Sequence, residues 1–211
     1  MADSLSTRAQ DFFLDALRGL DGDAKIDAIN ILRETLATYS PFRGEPVDCV
    51  LWVPADSVRA NDYNPNSVAA PEMRLLQESI MADGYTQPVV VHKEENAHEV
   101  VDGFHRTRIA KEVGAVSKRI YGRVPVAIIN RDRTDKGDRI AATIRHNRAR
   151  GKHSVDAMSA IIMDLARRNW SDAKIGKELG MEPDEVLRLK QITGLAQLFR
   201  DSDFSEAWEA M

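Results

Sequence analysis

The sequence predicts an α+β fold: a small mixed-sheet domain, preceded by helices and followed by an all-helical domain carrying a helix-turn-helix. Three features predict it. Residues 46–135 alternate short β-branched runs with helical patterns. Residues 1–45 and 136–211 carry apolar residues at helical spacing and no strand signal. Within the last segment, residues 171–192 read as a short helix, a glycine turn and a second helix, the helix-turn-helix pattern.

Two amphipathic helices are expected over about 6–38, one with Phe12, Phe13, Leu17 and Leu20, the other with Ile26, Ile29, Ile31, Leu32 and Leu36 as core stripes. Ser40–Pro46 has linker composition. Val50–Val53 is a strand candidate, followed by a turn over Asn61–Asn66 and a helix from Pro71 to Asp83 that stops at Gly84. Strands follow at Gln87–His92 and His98–Val101, then a helix over Thr107–Gly114 and a strand at Val124–Ile129. Helices are expected over about 137–148 and from Val155, where Met158, Ile161, Ile162 and Leu165 form a core stripe. Ser171 should cap the next helix, which carries Ile175 and Leu179 and ends at Gly180. Pro183 opens another, with Val186, Leu187, Leu189 and Ile192 apolar.

The 211 residues provide enough chain for one large or two small domains, and 43% hydrophobic with 29% charged residues describe a globular protein. A net charge of -4 excludes a global basic field, so any nucleic-acid contact must be local. The single cysteine, Cys49, excludes an internal disulfide and a thiolate metal cluster. No apolar run reaches membrane-spanning length and no signal pattern is visible, so a cytoplasmic protein without membrane association is expected.

The most informative run is Val100-Val101-Asp102-Gly103-Phe104-His105-Arg106-Thr107-Arg108. A strand ends, glycine turns the backbone tightly, and a helix begins. The first amides of that helix and the positive end of its dipole form an anion site, to which Arg106 and Arg108 add charge. Asp102 and His105 are the candidate catalytic pair, and Asp102 the candidate metal ligand. The same residues also suit plainer roles, Asp102 as a helix cap and His105 as a structural histidine.

Arg139–His153 concentrates positive charge without an intervening carboxylate. Arg145, His146, Asn147, Arg150 and Lys152 are candidate phosphate ligands. Their expected partner is the Gly103 turn, two basic segments meeting around one polyphosphate. A solvated basic helix face and a nucleic-acid backbone are the competing readings.

With both segments in view, the chain resembles the ParB/sulfiredoxin superfamily. The motifs run in order: Asn61–Asn66, Gly84-Tyr85-Thr86-Gln87-Pro88-Val89, Asp102–Arg106, Arg145–Arg150, then the helix-turn-helix. Thr143–His153 and Leu187-Arg188-Leu189-Lys190-Gln191 make it most similar to the IbrB-like proteins, co-activators of prophage gene expression. The resemblance implies a nucleotide pocket for ATP or CTP with Mg2+, in which Gly103, Arg106, Asn147 and Arg150 carry over and Gln87 takes part. Partition proteins of the superfamily have Gly-Glu-Arg-Arg and Glu-Asn-x-x-Arg at these places, and Phe104, His105 and His146 depart from that pattern. Phe104 stands where sulfiredoxins have their reactive cysteine, which argues against sulfinic acid reduction. Asp102, Gly103, His105 and Arg106 match the Asp-Gly-x-His-Arg of free-serine kinases.

Two functions follow. The first is a nucleotide-responsive DNA-binding or transcriptional regulator, with or without NTPase activity, using Arg188, Lys190 and Gln191 on DNA. Glu182, Asp184 and Glu185 weigh against deep groove entry, because they face a phosphate-lined groove. The second is a phosphoryl-transfer enzyme, an ATPase or a small-molecule kinase of free-serine type. A nuclease ranks below both, since no two-metal carboxylate cluster is visible. By resemblance, a phosphoadenosine-phosphosulfate-reductase-like companion is an expected partner, and the terminal helical segments suggest a homodimer.

Overall fold

The computed structural model describes residues 2–61, 70–129, 135–148 and 155–198. The chain divides into two compact units, with the described residues through 129 in the first and those from 135 in the second. Among the described residues, no helix is long and apolar enough to cross a membrane.

The first unit opens with α1 (Ala2–Leu17) and α2 (Gly22–Tyr39). Five strands follow: β1 (Val50–Pro54), β2 (Val58–Arg59), β3 (Val89–Lys93), β4 (His98–Asp102) and β5 (Arg123–Ile128). They form one mixed sheet in the order β1-β5-β3-β4-β2. β1 with β5 and β3 with β4 are antiparallel, while β3 with β5 and β2 with β4 are parallel. Helices α3 (Ala70–Asp83), α4 (Phe104–Glu112) and α5 (Gly114–Arg119) complete the unit. Val58, Val89, Val91, Val100, Ile109 and Val126 are all but inaccessible at its centre.

β5 is buried along its whole length, yet it contains a proline and begins with an arginine. Pro125 has no N–H to give a ladder. It lies opposite Trp52 and just ahead of the residues that pair with β3, whose register begins at Val89 with Val126. Trp52 turns its own backbone groups outward, where Asn30 of α2 takes both. Trp52 N donates to Asn30 Oδ1 at 3.0 Å and Asn30 Nδ2 donates to Trp52 O at 2.7 Å. One amide side chain thus substitutes for a neighbouring strand at the sheet edge.

Arg123 completes the same fastening. Its Nε and Nη2 reach Asp23 Oδ1 at 3.1 and 2.9 Å, and its Nη1 reaches Asp27 Oδ1 at 2.7 Å and Trp52 O at 3.2 Å. Burial works against the guanidinium charge, but the bonds to Asp27 and Asp23 outweigh it and the Arg123 pKa is raised. Polar bonds are prominent in holding α2, which contains no buried residue. The expected core stripe is therefore only partly realised. Ile26 and Ile29 border a small cleft with Trp52, but Ile31 and Leu36 are exposed.

α4 begins three residues before the expected start, because Gly103 takes the N-cap position in a left-handed conformation. α5 was not anticipated. It is only six residues long, and it places Arg119 so that Nη1 donates to Met81 O near the end of α3.

The second unit packs α6 (Lys136–Arg148), α7 (Val155–Arg167), α8 (Asp172–Leu179) and α9 (Pro183–Leu198). Ile144, Ile162, Leu165, Ile175, Leu179 and Val186 are buried together. Ser171 caps α8 by accepting from Lys174 N at 3.2 Å, and Gly180 ends it at φ 65°. Gly176 is required for a different reason: a Cβ there would come within 2.8 Å of Met181 O, so α8 and its turn approach only over a glycine. Val186 and Leu189 face the core from α9, whereas Leu187 and Ile192 are exposed.

Asn30→Ala should lower stability by about 1–3 kcal/mol, because the Trp52 backbone groups lose their partner at the sheet edge. Urea unfolding followed by tryptophan fluorescence checks this, and a change below ~0.5 kcal/mol, the scatter of ordinary surface substitutions, would contradict it.

Candidate functional site

The turn between β4 and α4 gathers an arginine, a carboxylate, an amide and a phenol around one glycine. Gly103 sits at φ 96° and ψ 24°, a conformation open to glycine and strained for other residues. The Arg106 guanidinium lies directly over it. A Cβ at residue 103 would meet Arg106 Nη2 at 2.8 Å and Nε at 2.9 Å. Glycine is thus demanded twice, by the backbone and by the arginine stacked on it.

Arg106 is held from three sides. Nη2 reaches Asp102 Oδ2 at 3.2 Å, Nη1 donates to Gln87 Oε1 at 2.9 Å, and the backbone carbonyl accepts from Tyr85 Oη at 2.8 Å. The ion pair is well shielded, with side-chain exposures of 15% for Arg106 and 11% for Asp102. Arg106 Nε is buried too and has no acceptor among the described residues. Burial pushes the Tyr85 hydroxyl up to about 12, against the opposing pull of Arg106 and Arg119, so it remains a neutral donor. Thr107 closes the first turn, donating its N–H to Gly103 O at 3.0 Å. The amides at the start of α4 precede the first intrahelical bond and carry the positive end of the helix dipole.

His105 is half-buried beside Phe104, their rings 5.3 Å apart. Burial first, then Arg108, lowers its pKa, and Glu72 of α3 opposes them. Near neutral pH it is an uncharged imidazole, able to accept a proton but poorly suited to neutralise an anion. Arg108 is more exposed and forks onto Glu112 with Nε at 3.0 Å and Nη2 at 2.9 Å. Among the described residues, no group of three or more His, Cys, Asp or Glu side chains gathers as a metal ion would require.

Asp102, Gly103, Arg106 and Gln87 are therefore brought together, with His105 on the same turn. The sequence reading assigned no role to Tyr85 or Glu72. Tyr85 stands two residues before Gln87, and that shared strand approach was the available signal. Nothing in the sequence pointed to Glu72.

In the second unit, Arg145 donates through Nη1 to Glu178 O at 3.0 Å and Glu178 Oε2 at 2.6 Å, linking α6 to the end of α8. His146 is half-buried and Asn147 falls in the last turn of α6. Arg150 and Lys152 lie outside the described residues, as does the Asp62–Asn66 portion of the turn motif. On α9, Arg188 and Gln191 are exposed, while Lys190 is ion-paired with Asp172 of α8.

Gly103→Ala should displace Arg106 and cost about 1–3 kcal/mol through backbone strain alone, measured by urea unfolding; a variant as stable as the parent would contradict the double demand for glycine. His98 and His105 both have lowered pKa values, by burial foremost and then by Lys93 and Arg108 respectively. Near pH 6 the unfolded chain then binds more protons than the native one. Their contribution to stability is full above the ordinary histidine value of ~6.5 and fades as pH falls toward the lower native values. An NMR titration should give His105 a midpoint below ~6.5; a midpoint at or above that value would contradict the burial argument.

Comparison with known proteins agrees with this architecture. The model of the ParB N-terminal domain matches residues 43–144, and that of the IbrB-like C-terminal HTH domain matches residues 153–201. The chain is 52% identical to the uncharacterized protein YbdM of Escherichia coli (strain K12) over 209 residues, covering 99% of each. Among solved structures it is similar to C-terminally truncated ParB from Caulobacter crescentus complexed with CTP-gamma-S, at 18% identity and TM-score 0.40 over 71% of this chain and 83% of that one. It is also similar to the same partitioning protein complexed to the centromeric parS site, at 17% identity and TM-score 0.47 over 70% and 75%. The chain belongs to the family of proteins that join a ParB N-terminal domain to an IbrB-like C-terminal helix-turn-helix domain.

Proposed function

We propose that this protein is a nucleotide-responsive DNA-binding regulator. The Gly103 turn takes the phosphates of ATP or CTP, and the helix-turn-helix meets DNA. The observation that carries the reading is the turn itself, a left-handed glycine at a helix start with a shielded arginine stacked on it. Its donors are backbone amides and a guanidinium, which suit phosphate oxygens. A phosphate would find the Arg106 charge already oriented by Gln87 and Asp102, so little ordering accompanies binding.

The donor set at the turn fits an anion better than a bare cation. Mg2+ would enter on the nucleotide's own phosphate oxygens, with Asp102 as the adjacent carboxylate. Asp102 is engaged by Arg106, so any role for it as a ligand requires that ion pair to loosen.

Family membership supports the DNA half of the proposal. Arg188 and Gln191 are exposed on α9 and are the residues proposed to contact DNA. Lys190 instead ties α9 to α8. The acids Asp184 and Glu185 in the first turn of α9 favour contacts made beyond that turn. Nucleotide would regulate DNA affinity only by binding one state of the protein better than another.

One observation favours a second reading, phosphoryl transfer. His105 is an uncharged imidazole next to the proposed phosphate position, and it can accept a proton from an attacking hydroxyl or water.

Calorimetric titration with ATP and CTP, with and without Mg2+, should show saturable uptake by the parent chain. Arg106→Gln should weaken it by about tenfold or more, with folding checked by circular dichroism. The same titration on Arg150→Ala reads the contribution of the arginine-rich stretch. Nucleotide-dependent DNA affinity supports the regulator, whereas acceptor-dependent formation of nucleoside diphosphate and phosphoserine supports the kinase. No uptake by folded parent protein would end both readings.

A further inference from the structure

A cleft of about 260 Å³ opens in the first unit between α2, the edge strand β1 and the turn from α5 into β5. Its walls are mostly apolar: Ile26 and Ile29 of α2, Trp52 of β1, and Ile120 after α5. That space equals ~9 water molecules at the ~30 Å³ each takes in the liquid, and it falls below the roughly 300 Å³ at which pockets for drug-sized ligands begin. Water finds few hydrogen-bond partners on such walls, so an apolar group of about seven carbon atoms is the better occupant.

Two arginines line the same cleft. Arg119 donates through Nη1 to Met81 O and through Nη2 to Ile80 O, which fixes its guanidinium without cancelling the charge. Arg33 is half-buried, and its guanidinium has neither ion pair nor hydrogen bond among the described residues. The nearby acids of α2 are engaged elsewhere: Asp23 and Asp27 hold Arg123 and do not line the cleft. Tyr121 completes the lining. It sits at φ 55°, a left-handed conformation that bulky side chains rarely adopt, and is 66% exposed. Backbone strain of this kind gathers where a protein clamps a ligand.

We propose that this cleft binds a small monocarboxylate with an apolar body, an aromatic or branched-chain acid. The body fills the space between the α2 isoleucines and Trp52, where an aromatic ring gains most. The carboxylate is taken by the free Arg33 fork, with the Arg119 charge lining the same cleft. One free guanidinium matches one planar carboxylate. A dianionic phosphate would leave part of its charge against apolar walls, which is costly. The cleft shares no lining residue with the Gly103 turn, so this inference stands apart from the nucleotide reading.

Nitrogen-15 NMR of the full chain titrated with phenylacetate tests it. The indole N–H of Trp52 and the amides of Ile120 and Tyr121 should shift together and saturate, with a Kd of about 1 mM or below. Phenylacetamide keeps the ring and loses the charge, and it should bind about fivefold more weakly or worse. Acetate keeps the charge and loses the ring, and it should not saturate by ~20 mM. Arg33→Gln should weaken phenylacetate by about fivefold or more, with an unchanged circular dichroism spectrum. Should that variant fail to fold, the comparison of phenylacetate with phenylacetamide on the parent chain still decides. Absence of saturable shifts at those three residues in folded parent protein overturns the inference. So does phenylacetamide or acetate binding as tightly as phenylacetate, or a folded Arg33→Gln chain that binds unchanged.

Discussion

The stacking of Arg106 on Gly103 is the contact around which the candidate site is built. It fixes the strand-to-helix turn, aims the first amides of α4, and shields the pair with Asp102 from water. An arginine held this way is neither a loose surface charge nor a buried orphan. It has an acidic partner, an amide partner, and a backbone anchored by Tyr85. Such preorganisation favours recognition of a fixed, forked anion over general attraction of negative charge. It also means that substitutions here act on folding and on the site together.

Much of the fold was legible because its signals are local. The strands β1, β3, β4 and β5, the helices α3 and α4, the stop at Gly84, the cap at Ser171 and the end of α8 at Gly180 follow from short-range chemistry, whereas the two-residue β2 is too short to leave a pattern. The Gly103 bend was legible for the same reason: its carboxylate, glycine and arginine lie within five residues, Asp102 to Arg106, at one strand-to-helix turn. What escaped reading is what depends on distant partners. Arg145 and Lys190 look like free cations in the sequence, but Glu178 and Asp172 engage them within the second unit. Arg123 looks like a strand-edge charge, but it is buried because Asp23 and Asp27 come to it from about a hundred residues away.

The helices before the sheet teach a related lesson. Periodicity correctly marks α1 and α2, but it cannot say which side of a helix the rest of the chain will cover. In α2 the sheet takes its bonds through Asn30 and two aspartates, while Ile31, Leu36 and Tyr39 remain exposed. α5 went unread because six residues hold too little pattern. Even so, α5 has a clear task, since it carries the arginine that satisfies carbonyls at the end of α3.

The central claim is that phosphate binds at the start of α4, and backbone amide chemical shifts report on that place directly. In a nitrogen-15 NMR titration of the folded chain with CTP or ATP, the amides of Gly103, Phe104, His105 and Arg106 are predicted to move together and saturate, ahead of amides elsewhere in the first unit. Saturable nucleotide binding that leaves those four amides unmoved would contradict the account.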